Sequence, residues 1–445
     1  DPIRQSSRIP YFDNPPDSPP AILAQPPPRD PYGPAFVPDF QMTYHAILIA
    51  SVVLLLAFAI ERVGRVTGLP AVIVMVVVGL VARPLFAAMG LTLDGLDVTV
   101  PIIGTIGLVL IVLEGALDIK LRREQFKLVY GAIAMAAAGF VLCTALFAMV
   151  ASQVLNLSYF QALILSIPFA VISSAVAIQS SHFLPAHGRE FVIYESSVSD
   201  IIGVLVFFAL LNSDGSLGGV VRGLLGGGAL SLLLATVCSV GLALVLMRID
   251  GHIRFIPLLA GLFALYAIGE ILHLSPLIMV LMFGLALNNP GIIERLGPLR
   301  GWMDSSYETT LTQFKLLVME LTFAVRGFFF ILLGYWTDLS DLASFSAWLS
   351  AAFMLTVIYA GRYAMLKSFN HSLTSSLTWI APRGLITVVL FLGASNAMTL
   401  PSFVSGTVVL VVLISAALVA VGQYHARAAG IISDPESNDD SGATR

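Results

Sequence analysis

The stretch "FVIYESSVSDIIGVLVFFAL" (191–210) sets one carboxylate, Asp200, inside an apolar run long enough to cross a bilayer. Counted at about 1.5 Å per residue, Glu195 lies roughly 6 Å and Asp200 roughly 14 Å into that span. An ionisable side chain at such depth is costly unless something compensates it, and by default it marks an ion or proton path.

The rest of the chain is the kind of sequence such a span belongs to. It has 445 residues, 57% hydrophobic and 11% charged. That is too little charge for a soluble domain and implies a polytopic, all-α membrane protein. The net charge of −4 carries no information about partners, because charge is sorted by side of the membrane. Cys143 and Cys238 both lie in apolar runs and read as packing residues, not as a disulfide or metal site. Residues 1–40 are crowded with proline and read as an extended, largely disordered leader; 41–428 are expected to be the transmembrane domain and 429–445 a short polar tail. The chain begins at Asp1 and not at Met, so a segment upstream is expected.

Hydrophobic runs bounded by Pro, Gly and charged residues predict about thirteen spans: 43–61, 70–87, 100–118, 128–151, 160–181, 191–211, 220–247, 255–272, 275–289, 314–336, 343–367, 373–397 and 401–424. With the N-terminus outside, 15 of the 23 Lys and Arg fall at inner loops and helix ends and 5 outside, leaving Arg326, Arg362 and Arg383 within the membrane. The positive-inside rule therefore predicts an outer N-terminus and a cytoplasmic C-terminus.

Two spans carry residues that a plain anchor would not. The fifth, "ALILSIPFAVISSAVAIQS" (162–180), has Pro168 followed by Ser173 and Ser174; the twelfth, "SSLTWIAPRGLITVVLFL" (375–392), has Pro382, Arg383 and Gly384 at mid-span. Proline removes a helical hydrogen bond and clashes with the preceding turn. Backbone freed at membrane depth is tolerated only where protein re-satisfies it or a cavity is lined by it. One interrupted helix in each half is the pattern of transporters built from inverted repeats with a midplane site.

At these residues the chain resembles the monovalent cation:proton antiporter superfamily, the sodium/proton exchanger fold, over roughly 45–425. The resemblance is carried by "GLPAVIVMVVVGLVARP" (68–84), "IGLVLIVLEGALDIKLRR" (106–123), "YESSVSD" (194–200), "FFFILLG" (328–334) and "PRGLITVVL" (382–390). "YESSVSD" is similar to the Glu-Ser-x-x-Asn-Asp element of the electroneutral branch, with Ser199 in place of Asn. Where that branch often carries Thr-Asp-Pro in its fifth helix, this chain has Ser173-Ser174-Ala175. "SSAVAIQ" (173–179) is also similar to a potassium-efflux branch, which leaves sodium against potassium open. The resemblance implies two crossing interrupted helices, a core bundle moving against a dimerising scaffold, and a homodimer in the cell membrane. It implies cation for proton exchange serving pH homeostasis, with no cofactor beyond the transported Na⁺ (or K⁺, or Li⁺) and H⁺. No phosphate loop, metal cluster or nucleophile triad points to an enzyme, and nothing points to nucleic acid.

Read by chemistry, Asp200, Ser196, Ser173 and Ser174 supply the oxygen ligands that a hard monovalent cation requires, and a proton competes for the same carboxylate. Glu195 and Arg362 share a depth and are expected to form a structural ion pair, snorkelling of Arg362 being the alternative. Arg383 either neutralises half-helix ends or contacts Asp200. Ser199 is expected in support, Glu114 near the inner funnel, and Asp118 as a solvated neighbour of Lys120 and Arg122. Glu320 and Arg326 are counted with the deep interior charges, as structural partners to other helices. His182 and His187 read as loop residues. With only Asp200 titrating, exchange is expected to be one proton per cation. A channel, an organic-solute transporter and a non-transporting sensor are the rival classes.

Overall fold

The structure, a computed structural model, describes residues 40–67, 70–88, 96–119, 126–181, 183–222 (except 212, 214 and 216), part of 233–241, 255–272, 276–289, 305–369 and 374–428. The chain divides at Ile49 into two compact units. Of the first, the described residues are the opening turns of a helix; everything below concerns the second.

The described residues form helices and no strands: α1 Phe40–Thr67, α2 Ala71–Ala88, α3 Leu96–Asp118, α4 Phe126–Val154, α5 Tyr159–Ala170, α6 Ser174–Ser180, α7 Ala186–Leu211, α8 Leu217–Arg222, α9 Phe255–Ile271, α10 Pro276–Asn288, α11 Ser305–Trp336, α12 Leu339–Leu342, α13 Phe345–Ser368, α14 Thr374–Thr378, α15 Leu385–Ala397 and α16 Phe403–Ala428. Eight spans among them, one of which (Tyr159–Ser180) runs on through a break, are long and apolar enough to cross a membrane, with shorter apolar helices besides. Large apolar side chains such as Phe58, Val81 and Val141 point outward, a surface that only lipid or another protein would cover.

Every expected span but the seventh falls on described helix; the seventh, 220–247, lies largely outside the described residues, as do the leader and the tail. Two helices begin five or more residues earlier than hydropathy alone predicts. The sixth span starts at Ala186 and not at 191, because "AHGRE" is polar yet helix-compatible and lengthens α7 beyond the apolar run. The tenth starts at Ser305 for the same reason. Hydropathy reports where lipid ends, and a helix runs on past that point.

Two family-like motifs meet each other. A Cβ on Gly79 would strike the Ile331 carbonyl of α11, and one on Gly334 would strike the Val76 carbonyl of α2. The backbones of α2 and α11 thus touch through paired glycines, the small-residue contact that lets membrane helices approach closely. Around the site, the order α4, α5–α6, α7 is answered by α13, α14–α15, α16: a broken helix between two continuous ones in each half of the chain.

Candidate functional site

The site forms where the two broken helices cross. A capping box opens α5: Ser158 Oγ accepts from the Gln161 amide at 3.3 Å, and Gln161 Oε1 accepts from the Ser158 amide at 3.1 Å. The helix ends at Ala170, two residues after Pro168. Val171 is extended (φ −78°, ψ 133°), as is Ser173 (φ −72°, ψ 113°), before α6 begins. The partner break runs from Trp379 to Gly384. The two extended segments are stitched directly: the Ser173 amide donates to the Pro382 carbonyl at 2.9 Å. Gly384 is required there by proximity, since a Cβ on it would press into the Ser173 hydroxyl and lie 2.9 Å from Ser173 Cβ.

Each half-helix that ends at the crossing presents unsatisfied carbonyls, and a buried arginine meets each end. Arg383 Nε donates to the Phe169 carbonyl at 2.8 Å and its Nη1 to Ala381 at 3.0 Å, while Ser415 Oγ accepts from the Arg383 amide at 2.9 Å. Arg362 Nε donates to the Leu377 carbonyl of α14 at 2.8 Å. Its two terminal nitrogens hold Glu195 in a fork, at 2.6 Å to Oε1 and 2.7 Å to Oε2. Cationic donors at helix C-termini offset the negative end of the dipole, and the bidentate geometry suits a pair removed from water. Of the two roles open to Arg383 on sequence grounds, its hydrogen bonds serve the half-helix end. Among the described residues no Lys or Arg lies within ion-pair distance of Asp200.

Asp200 is buried (5% exposed) and faces the opposite, positive kind of helix end. Its Oδ2 accepts from the amide of Ser174, the first residue of α6, at 3.3 Å. Its Oδ1 has no hydrogen-bond partner. An orphaned carboxylate oxygen in a buried place is expensive, and it is the coordinating atom that a cation or proton would satisfy.

The other sequence candidates distribute unevenly. Ser173 and Ser174 lie at the break. Ser196 is buried one turn before Asp200, and its hydroxyl hydrogen goes back to the Val192 carbonyl at 2.7 Å, leaving its lone pairs free to accept. Ser199 Oγ accepts from the Ile172 amide at 2.9 Å, so it holds the extended segment against α7. Glu114 is half-buried, with Arg326 as the basic group nearest in influence. Arg326 is buried and its Nη1 and Nη2 reach Gln179 Oε1, with that amide turned to face them, at 2.8 and 2.6 Å.

Glu320 does not belong with the interior charges: it lies on the exposed face of α11. Six residues at about 100° each turn it far around from Arg326, so burying Arg326 sends Glu320 outward. Asp118 is exposed, with Lys315 and Arg189 as the basic groups nearest in influence; Lys120, Arg122 and His182 lie outside the described residues. His187 is exposed at the start of α7. Cys143 is buried and Cys238 half-buried, both as free thiols.

Sequence reading missed the Ser199, Ser415 and Gln179 contacts and the second duty of Arg362. The signal for Ser199 was available in principle: a serine beside a deep Asp, opposite a proline-broken helix, is a hydroxyl available to a freed amide.

An all-helical membrane fold with two broken helices crossing beside a buried carboxylate defines a class of secondary transporter. The sequence model described as "Sodium/hydrogen exchanger, transmembrane" matches residues 47–422, so the chain belongs to the sodium/hydrogen exchanger family, within the monovalent cation:proton antiporter superfamily, whose members are transporters and not enzymes. Among solved structures, the sodium proton antiporter MjNhaP1 from Methanocaldococcus jannaschii at pH 8 is similar with a TM-score of 0.67 at 19% identity, covering 87% of this chain and 98% of that one. A structure of the same antiporter from an electron-microscopy map gives a TM-score of 0.64 at 19% identity, covering 87% and 96%. At that identity the likeness is one of fold. No curated protein matches the chain.

Proposed function

We propose that this protein exchanges a monovalent cation, sodium first and lithium with it, for protons, with Asp200 as the site both ions share. The observation that carries the proposal is the orphaned Asp200 Oδ1, buried at the crossing beside Ser174 and without a basic partner in ion-pair range among the described residues. A dehydrated cation would take that oxygen together with hydroxyls of Ser173, Ser174 and Ser196; a proton would take it alone. If only occupied carriers reorient, competition for one carboxylate couples the two fluxes. Glu195 is already balanced by Arg362, which leaves one exchangeable charge and supports a one-for-one, electroneutral cycle. Family membership and the antiporter fold support the exchange itself.

Potassium is the second reading, favoured by one feature. The break carries Ser173 and Ser174 with no second carboxylate, a weaker field that suits a larger ion. We further propose a homodimer in the cell membrane with the N-terminus outside. Single cysteines in the leader and at position 187 should then label from opposite faces of intact cells; labelling from one face would overturn that topology.

The exchange is tested in proteoliposomes loaded with a pH-sensitive dye. Addition of sodium or lithium should drive proton release, and the proton gradient finally reached should be indifferent to an imposed membrane potential. A final gradient that changes with potential would exclude one-for-one exchange, and response to potassium alone would exchange the first reading for the second.

A further inference from the structure

Ser197 stands out among groups the mechanism above leaves unused. It is buried (3% exposed), and its Oγ has no hydrogen-bond partner, the same condition as Asp200 Oδ1 three residues later. Residues three apart on a helix are neighbours on one face, about 5–6 Å between their Cβ atoms. The hydroxyl faces α3: a Cβ built on Gly115 would lie 3.6 Å from Ser197 Oγ. Gly115 follows Glu114, and Asp118 lies one turn further along α3. Exposure falls in order along this line, from Asp118 (exposed) through Glu114 (half-buried) to Ser197 and Asp200 (both buried). The oxygen groups thus grade from open surface to the site, and Ser197, against Gly115 of α3 and three residues before Asp200, offers a hydroxyl on that gradient with no hydrogen-bond partner.

We propose that Ser197 Oγ is a coordinating group for the entering cation, a station at which the ion exchanges its last waters for protein oxygen before reaching Asp200. The proposal rests on the exchange reading above. A serine hydroxyl offers two lone pairs and no charge, so it fits a dehydrated monovalent cation in passage and binds it less firmly than a carboxylate. The surrounding α7 and α3 backbone groups are committed to their own helices, and the hydroxyl is the free acceptor. A buried serine kept without a partner otherwise costs stability for no return.

The test is the cation dependence of exchange by the full chain in proteoliposomes, with sodium and lithium as probes. Ser197→Ala removes the oxygen and little volume. Gly115→Ala places a methyl at ordinary contact distance over the hydroxyl without touching it chemically. Both should raise the cation KM about fivefold, the worth of one net polar contact, with kcat little changed. Ser197→Thr, which retains the oxygen, should stay near wild type. An unchanged KM in both variants, or a fall in kcat alone, overturns the proposal; if Ser197→Ala does not fold, Gly115→Ala decides it. Asp200→Asn, run in parallel, separates the two levels. Wild-type exchange persisting there sinks the Asp200 reading, whereas its loss together with unchanged KM in the Ser197 and Gly115 variants sinks only the Ser197 role.

Discussion

Asp200→Asn is expected to reduce cation-driven proton movement to the level of protein-free vesicles while leaving the folded yield intact. The amide keeps the shape of the carboxylate and can still accept from Ser174, so the crossing loses no hydrogen bond (3.3 Å in the parent). What it loses is the ability to bind a proton reversibly and to balance a cation. Folding should be unharmed or improved, because an orphaned buried carboxylate oxygen is replaced by a neutral group. Size-exclusion profiles and thermal stability in detergent check the first half, and dye-loaded proteoliposomes the second. Asp200→Glu should retain partial activity. Exchange by Asp200→Asn at the wild-type rate would remove Asp200 from the mechanism.

The second large effect belongs to Glu195 and Arg362. Both are buried, joined by two short contacts, and neither is accessible to water that would console a stranded charge. Neutralising either one should destabilise by about 3–5 kcal/mol, the usual cost of leaving one member of such a pair buried alone. The damage should be unequal. Arg362→Gln also releases the Leu377 carbonyl, so it removes a helix-end contact that Glu195→Gln leaves in place. The double variant Glu195→Gln with Arg362→Gln should recover part of the loss, more against the Arg362 single change than beyond the Glu195 one. Additive losses in a double-mutant cycle of thermal stabilities would contradict the coupling drawn from the geometry.

How much of this was written plainly in the sequence depends on which coordinate is asked for. Height in the membrane follows from counting residues, and that brought Glu195 and Arg362 to one level and set Asp200 deeper. Prolines marked both breaks, because a missing amide and a steric clash are properties of the residue itself. The angle around each helix does not follow from counting. Glu320 and Arg326 lie about 9 Å apart along α11, and packing decides which faces in: Arg326 turns toward Gln179 while Glu320 turns out. The Ser199 contact with Ile172 likewise exists only once α7 lies beside an extended strand of backbone. A single side chain with two duties, as Arg362 has, is invisible to any method that assigns one partner per charge.

The unequal arms of the broken helices have an electrical consequence. The short arms, α6 with 7 residues and α14 with 5, lie toward the end where α7 begins, the first through the turn leading into α7 and the second through Arg362 and Glu195. The long arms, α5 with 12 and α15 with 13, extend the other way. At about 1.5 Å per residue, an ion arriving beside the short arms passes about 10 Å of protein, and one arriving beside the long arms about 18 Å. With the membrane faces taken at the outer ends of these arms, Asp200 sits off-centre in the field. A charge entering from the far side crosses close to two thirds of the potential, about 1.5 kcal/mol per 100 mV. A cycle that moves no net charge still contains individual steps that do. Under voltage the apparent cation affinities on the two faces should drift apart, while the final proton gradient of a one-for-one cycle stays indifferent to it.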